Sequence, residues 1–346
     1  MRGLDRRRTL ALGAAAWLGA CNGRLLTRSR APSIDKSRLD QGFQPLAARA
    51  RPGVFALGVM SLADPSQAWY SDATRAFPLT SAAAAPIAAT VLGQVEMGEL
   101  ALDERIGFTS LDLSPPFSLI DERWPSPPQD RSATIRLSGL ATLALWQGDN
   151  TAIDVLMREA GGPGGVTAFL EQKHITALRV DRFQRGIYAD LFGMPTFRPA
   201  WKDPAAFDAA REQVPPAARR AAMNAYIIDP RDAVTVPGAL GFLDTLAGGE
   251  LLSAASTAQL LAWMRGAPGR FGPGFRGGAR LARAGGATPT DLGFTAATAE
   301  LAIATYPEGA QYALAGFLVG STATQDVRDA LFADAARLVA GATGGA

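Results

Sequence analysis

Apolar residues between Arg38 and Arg49 recur at helical spacing (Leu39, Phe43, Leu46, Ala47), which predicts an amphipathic helix. Val54 to Leu62 is a β-rich run closed by the turn signal Asp64-Pro65-Ser66, and Ala68-Trp69-Tyr70 returns as a second strand. Phe77 to Ile106 then reads as a short extended lead-in, a hydroxyl residue, Ser81, where an N-cap is favoured, and a long Ala-rich helix. Pro86 lacks the N–H that would bond Ala82, so this helix is expected to start late, or to kink, near Ser81. The proline-rich stretch from Pro115 to Pro128 excludes helix and reads as a surface crossing. Helical patterns resume over Thr134 to Trp146 and Thr151 to Ala160, and Gly161 to Gly165 forms a helix-to-helix turn without the lysine of a phosphate loop. Val236 to Arg265 carries amphipathic spacing interrupted by a Gly-Gly break. Leu301 to Tyr306, the turn Pro307-Glu308-Gly309 and Gln311 to Ser321 read as a hairpin, and Gln325 to Val339 as a closing helix.

Length changes this picture little: 346 residues can bury a full core in one large or two interleaved domains. Lys+Arg 34 nearly balance Asp+Glu 32, and the body has no basic block, which argues against nucleic acid as a partner. No metal-ligand cluster and no cofactor motif stands out, so none is expected.

The amino terminus is expected to be a targeting segment outside the fold. Arg6-Arg7-Arg8-Thr9-Leu10 precedes a mildly apolar run to Ala20, far short of the roughly 20 residues a spanning helix needs. The paired arginines resemble a twin-arginine signal; a basic region of an ordinary Sec signal is the alternative. Leu18-Gly19-Ala20-Cys21 matches the bacterial lipobox, in which cleavage leaves a lipidated cysteine. Cys21 is the one cysteine of the chain, so no intramolecular disulfide can form. The expectation is a signal over residues 1–21 ending in lipidated Cys21, and a flexible tether over 22–38. The body then lies outside the cytoplasm, facing the periplasm or cell exterior, held to the membrane through Cys21.

Phe77-Pro78 before Ser81, the apolar helix after it, and Gly98-Glu99 with Leu102-Asp103-Arg105-Ile106 resemble the nucleophile segment of class A β-lactamases. In that family a lysine follows the serine by one helical turn; here that position is Ala84. Gly148-Asp149-Asn150 resembles the family's S-D-N loop with glycine for serine; loop structure and helix capping alone would explain both Asp149 and Asn150. Val180 to Gln184 resembles the entry to the Ω-loop, with Gln184 where the family has the glutamate that activates water. An amide accepts no proton at neutral pH. Asp229-Pro230-Arg231-Asp232 resembles the loop exit, which pairs Arg182 with Asp232 as a structural clasp across an enlarged loop, 182–232. Arg280 to Ala287 resembles the strand carrying K-T-G, with Ala284 and Gly285 for lysine and threonine. Strand alternation puts Arg280 on the face of Ala284, a low-ranking anion contact, with solvated edge charge as its alternative.

The resemblance implies an α+β fold of the β-lactamase/transpeptidase type, with an antiparallel sheet flanked by helices and an all-helical lobe. Its α/β lobe would comprise 39–80 and 235–342, and the helical lobe 81–234. Ser81 is the vestigial nucleophile candidate, Asn150 a vestigial loop residue, and Gly286 and Ala287 the backbone oxyanion donors that the resemblance implies. With Ala84, Gly148, Gln184 and Ala284 at the catalytic positions, the expectation is a catalytically inactive, monomeric binding or partner protein of the cell envelope. Its ligand would be a cell-wall or β-lactam-like molecule, or its partner an envelope protein. The alternative is a slow serine hydrolase acylated at Ser81, with a base recruited from the insertion, where Lys202 would fold back over the site.

Overall fold

The computed structural model describes residues 33–116, 118–120, 133–266, 269–275 and 278–344. The twin-arginine region, the lipobox with Cys21, and all but Pro115 and Pro116 of the prolines from Pro115 to Pro128 lie outside these residues.

Period-two alternation builds the main sheet. In β1 (Val54–Ser61), Phe55, Leu57 and Val59 enter one core cluster, while Ala56 and Met60 enter the other. β10 (Gln311–Ser321) divides likewise, Tyr312, Leu314 and Leu318 against Ala313, Ala315 and Phe317. With β2 (Ala68–Tyr70), β7 (Arg280–Ala287) and β9 (Phe294–Thr305), these strands form an antiparallel sheet in the order β2-β1-β10-β9-β7. The terminal helices α1 (Lys36–Arg49) and α11 (Gln325–Ala342) cover one face. Helix α9 (Val236–Ala247) packs on the other. The edge strand β7 faces the helical lobe.

That lobe is organised around α2 (Ala84–Glu96), buried on all sides from Ala84 to Gly93, as expected of a helix with no polar stripe. Around it pack α4 (Asn150–Glu159), α5 (Gly162–Gln172) and α10 (Ala254–Met264). Gly93 lets the Phe169 ring approach, since a Cβ there would stand 2.7 Å from it.

Three local expectations change. Ser81 is no N-cap: it lies inside a 3₁₀ turn, Thr80–Ala83, with no capping bond from a side chain. The α-helix starts at Ala84, which puts Pro86 in the first turn, where its missing N–H costs nothing. Thr134 to Trp146 is not one helix. Ala133–Arg136 is a strand, β5, paired antiparallel with β4 (Arg105–Phe108). Only Leu137–Thr142 is α-helical (α3), ending in a π-helical turn, Leu143–Gln147. At the start of the proline-rich crossing, Ser114, Ser118 and Ile120 are buried rather than on the surface, because backbone N–H groups of 119 and 120 bond the Asp149 carboxylate.

The enlarged loop holds helices α6 (Gln184–Leu191), α7 (Pro204–Glu212) and α8 (Pro216–Ile227). Pro204 and Pro216 stand at first helical positions, and Asp203 caps α7 by accepting from the amides of Ala205 and Ala206. Its ends meet where Asp232 accepts from Arg182 Nε at 2.6 Å and from the amides of Asp181 and Arg182 at 2.7 and 2.9 Å. A short strand, β6 (Ala233–Thr235), then pairs with β3 (Ala76–Pro78), so loop exit and serine segment run side by side.

Candidate functional site

Leu79 N–H donates to the Asp232 carbonyl (2.8 Å), and Thr80 Oγ1 donates to the Gly286 carbonyl (3.1 Å). These two bonds hold the serine turn against both the loop exit and the edge strand. Thr80 adopts φ +52, a left-handed conformation that a β-branched residue avoids, so the backbone just before Ser81 is strained.

Ser81 opens into a cleft of about 410 Å³ lined by the π-turn (Trp146, Gln147), Gly148, Asn150, Tyr188, the β7 end and α11. Glycines determine how closely the walls approach the hydroxyl. A Cβ on Gly286 would stand 2.7 Å from Ser81 Oγ, and one on Gly148, at φ +64, 3.3 Å away. A side chain at Gly148 would thus point at Ser81, the direction from which a proton-shuttling serine would act. Glycine offers no such group.

Among the described residues, Ser81 Oγ has no hydrogen-bond partner, and no lysine, histidine, aspartate or glutamate lines the cleft. Ala84, one turn on, is 1% exposed and packed in the apolar core. Ala284 is equally buried. Lys202 does not fold back over the site; its Nζ donates to Ser110 Oγ at 2.9 Å, where the insertion rests on the turn Ser110–Asp112. Among the described residues, the one cleft-lining side chain with an acid–base proton near neutrality or above, short of arginine, is Tyr188, and burial pushes its hydroxyl up to about 12. At pH 7 it is an O–H donor, not a base.

The remaining residues singled out in the sequence divide between cleft and frame. Asn150, 1% exposed, lines the cleft beside Tyr188, with its amide against the Tyr188 hydroxyl. Asp149 caps α4, accepting from Ala152 N at 2.8 Å. Gly286 and Ala287 line the cleft next to Ser81. Arg280 does not: it is exposed at the far end of β7, because the strand's length carries it away from the serine. The arginine on that strand that reaches the cleft is Arg283, joined by Arg270 and Arg328. Arg182 and Asp232 stand behind the site as the loop clasp, where burial raises the Asp232 carboxyl against the lowering effect of Arg182.

Sequence reading also missed Asp154. It is 3% exposed and accepts from Ser114 Oγ (2.6 Å), Gln184 N and Arg185 N. It anchors the start of α6, and burial lifts its carboxyl to about 6. The signal was an acid inside the apolar run Ile153 to Met157.

A model of the "Beta-lactamase enzyme family" matches residues 38–342. The chain belongs to the β-lactamase enzyme family. Among curated relatives, it is 28% identical over 115 residues to β-lactamase VEB-1 of Pseudomonas aeruginosa (33% of this chain, 37% of that protein). To β-lactamase Toho-2 of Escherichia coli it is 32% identical over 154 residues (44% and 50%). The matched stretches thus span between about a third and half of those relatives. A β-lactamase from Chitinophaga pinensis shares the fold, with a TM-score of 0.69 at 24% identity over 87% of this chain and 97% of that one. A class A β-lactamase of the last common ancestor of Gram-negative bacteria gives 0.66 at 26% identity, over 87% and 98%. The α+β architecture with its antiparallel sheet is therefore that of class A β-lactamases. Within that frame, the positions after and around the serine carry Ala84, Gly148, Gln184 and Ala284.

Proposed function

We propose that this member of the β-lactamase family is a binding protein of the cell envelope, in which the serine cleft holds a ligand without hydrolysing it. One observation carries the reading: the Ser81 hydroxyl faces a cleft without a titratable base among the described residues. A neutral hydroxyl is a weak nucleophile. Losing the members of a catalytic group typically costs about 10⁶ in turnover, the oxyanion hole and binding leaving roughly 10³ to 10⁴ over water. Gln184, 2% exposed and with its amide nitrogen unpartnered, cannot accept the proton of an attacking water. With a chromogenic cephalosporin, wild type and Ser81→Ala are expected to hydrolyse at the same background rate; a wild-type rate that falls in Ser81→Ala would favour the slow serine hydrolase instead.

Export and anchoring belong to the same proposal and rest on Leu18-Gly19-Ala20-Cys21 and the arginines before it. Among the described residues no helix is long and apolar enough to cross a membrane, so an anchor would be the lipid on Cys21. Labelled palmitate is expected to enter the wild-type chain and not Cys21→Ala; equal labelling would remove the lipoprotein reading.

A further inference from the structure

We propose that the cleft beside Ser81 is a receptor for a tetrahedral oxyanion, a phosphoryl or sulfo group on a small molecule, gripped by Arg270, Arg283 and Arg328. The proposal deepens the non-hydrolytic reading and rests on it.

The three guanidinium groups come from separate elements, the turn before Phe271, strand β7 and the first turns of α11, yet line one cleft. No aspartate or glutamate lines that cleft among the described residues. Arg283 is 7% exposed, and its Nε–H has no partner. The nearest carboxylate, Glu300, stands 3.7 Å from Arg283 Nη1, beyond hydrogen-bond reach, and already accepts from the amides of Arg270 (2.7 Å) and Phe271 (3.1 Å). Arg328, 6% exposed, donates Nη1 to the Ala323 carbonyl and has no ion pair among the described residues. Arg270 Nε lies 2.9 Å from Asp329 Oδ1, but at an angle that makes no hydrogen bond.

Three guanidinium charges thus face two carboxylates, Glu300 and Asp329, and leave one positive charge in excess. Burial, and then the nearby Arg270, hold both Arg283 and Arg328 below the ordinary arginine range, with Glu300 and Asp329 opposing this. Arginine cannot shed its proton to relieve this, so the buried charge is compensated by an anion or left as a standing cost.

Geometry selects the class of anion. A planar carboxylate is satisfied by a single guanidinium fork. Arginines from three elements, with Thr288, Thr290 and Gln325 lining the same cleft, suit a group offering three or more oxygens. At the other end of the cleft Ser81 then serves as a hydrogen-bond donor to the body of the ligand.

The test is thermal unfolding of the full chain titrated at constant ionic strength with inorganic phosphate, sulfate and acetate. The expected result is a saturable rise in Tm with phosphate, sulfate or both, and weaker binding of acetate. Binding of one alone separates a phosphoryl from a sulfo ligand, and binding of both supports the tetrahedral-oxyanion site for either. Arg328→Gln is expected to weaken binding about tenfold or more, as removal of a charge-assisted contact does. Arg283→Gln should do the same; if it fails to fold, Arg328→Gln decides alone. No saturable shift, acetate equal to the tetrahedral anions, or wild-type affinity in Arg328→Gln would each overturn the proposal. Acylation of Ser81 by a penicillin is read separately by mass, so the loss of the non-hydrolytic reading is distinguishable from the loss of the anion site.

Discussion

Asp154 carries a carboxylate into the core of the helical lobe and uses it to pin the amides of Gln184 and Arg185. Its folded value of about 6 lies above the ordinary 3.8, so its contribution to stability is complete below about pH 4 and is lost as pH rises through 6. The shift corresponds to on the order of 3 kcal/mol. Urea denaturation at pH 5 and pH 7.5 is expected to show this slope in the wild type and its loss in Asp154→Asn; identical slopes would mean that the carboxylate does not titrate there. Asp232 acts through a partner. It is 2% exposed and satisfies Arg182 Nε and two amides, so Asp232→Ala leaves those three donors without their acceptor, while Arg182 Nη1 keeps Asp190 and Asp229. The expected loss is about 1–3 kcal/mol, read as a lower urea midpoint, with a smaller loss for Asp232→Asn. Of these two residues the sequence showed Asp232 through its motif. Asp154 was visible as an acid in an apolar run, but its role depends on Ser114 and Gln184, 40 and 30 positions away.

The start of α2, the Gly148 turn and the end of β7 meet at the serine, where the chain carries Ala84, Gly148 and Ala284. Gly286 keeps β7 close to the serine turn; Gly286→Ala forces a Cβ to within 2.7 Å of Ser81 Oγ and is expected to cost about 1–3 kcal/mol by overpacking. Ala84→Lys would return an amine to the helix one turn after the serine, but into a position that is 1% exposed. A lone restored lysine still lacks its partners at Gly148 and Gln184, so it is expected to lower stability without producing cephalosporin turnover. Turnover in that single variant would show that the remaining cleft is competent and that one residue separates binder from enzyme. The proline signal was legible, since Pro86 announced the late start of α2, whereas the cap expected at Ser81 is a 3₁₀ turn. The β4–β5 pair was not, because Ala133–Arg136 is four residues whose pattern also fits a helix, and only pairing with Arg105–Phe108 makes it a strand. Likewise, alternation along β7 pointed to Arg280, whereas Arg283 reaches the cleft.

Two lobes meet along β7, and the chain's frame is that of class A β-lactamases over residues 38–342. The frame was readable because segments such as Phe77-Pro78 and Arg182 to Asp232 set backbone geometry, through the β3–β6 pairing and the Arg182–Asp232 contact. The arginine wall was not readable, since Arg270, Arg283 and Arg328 come together only when the loop before Phe271, β7 and α11 are packed. The central claim, that the cleft binds without covalent chemistry, is tested most directly by intact mass spectrometry of the protein during long incubation with a penicillin, beside Ser81→Ala. No added mass in either protein is the expected result. An adduct of the penicillin's mass on the wild type, absent from Ser81→Ala, would contradict it and show that Ser81 is still an activated nucleophile.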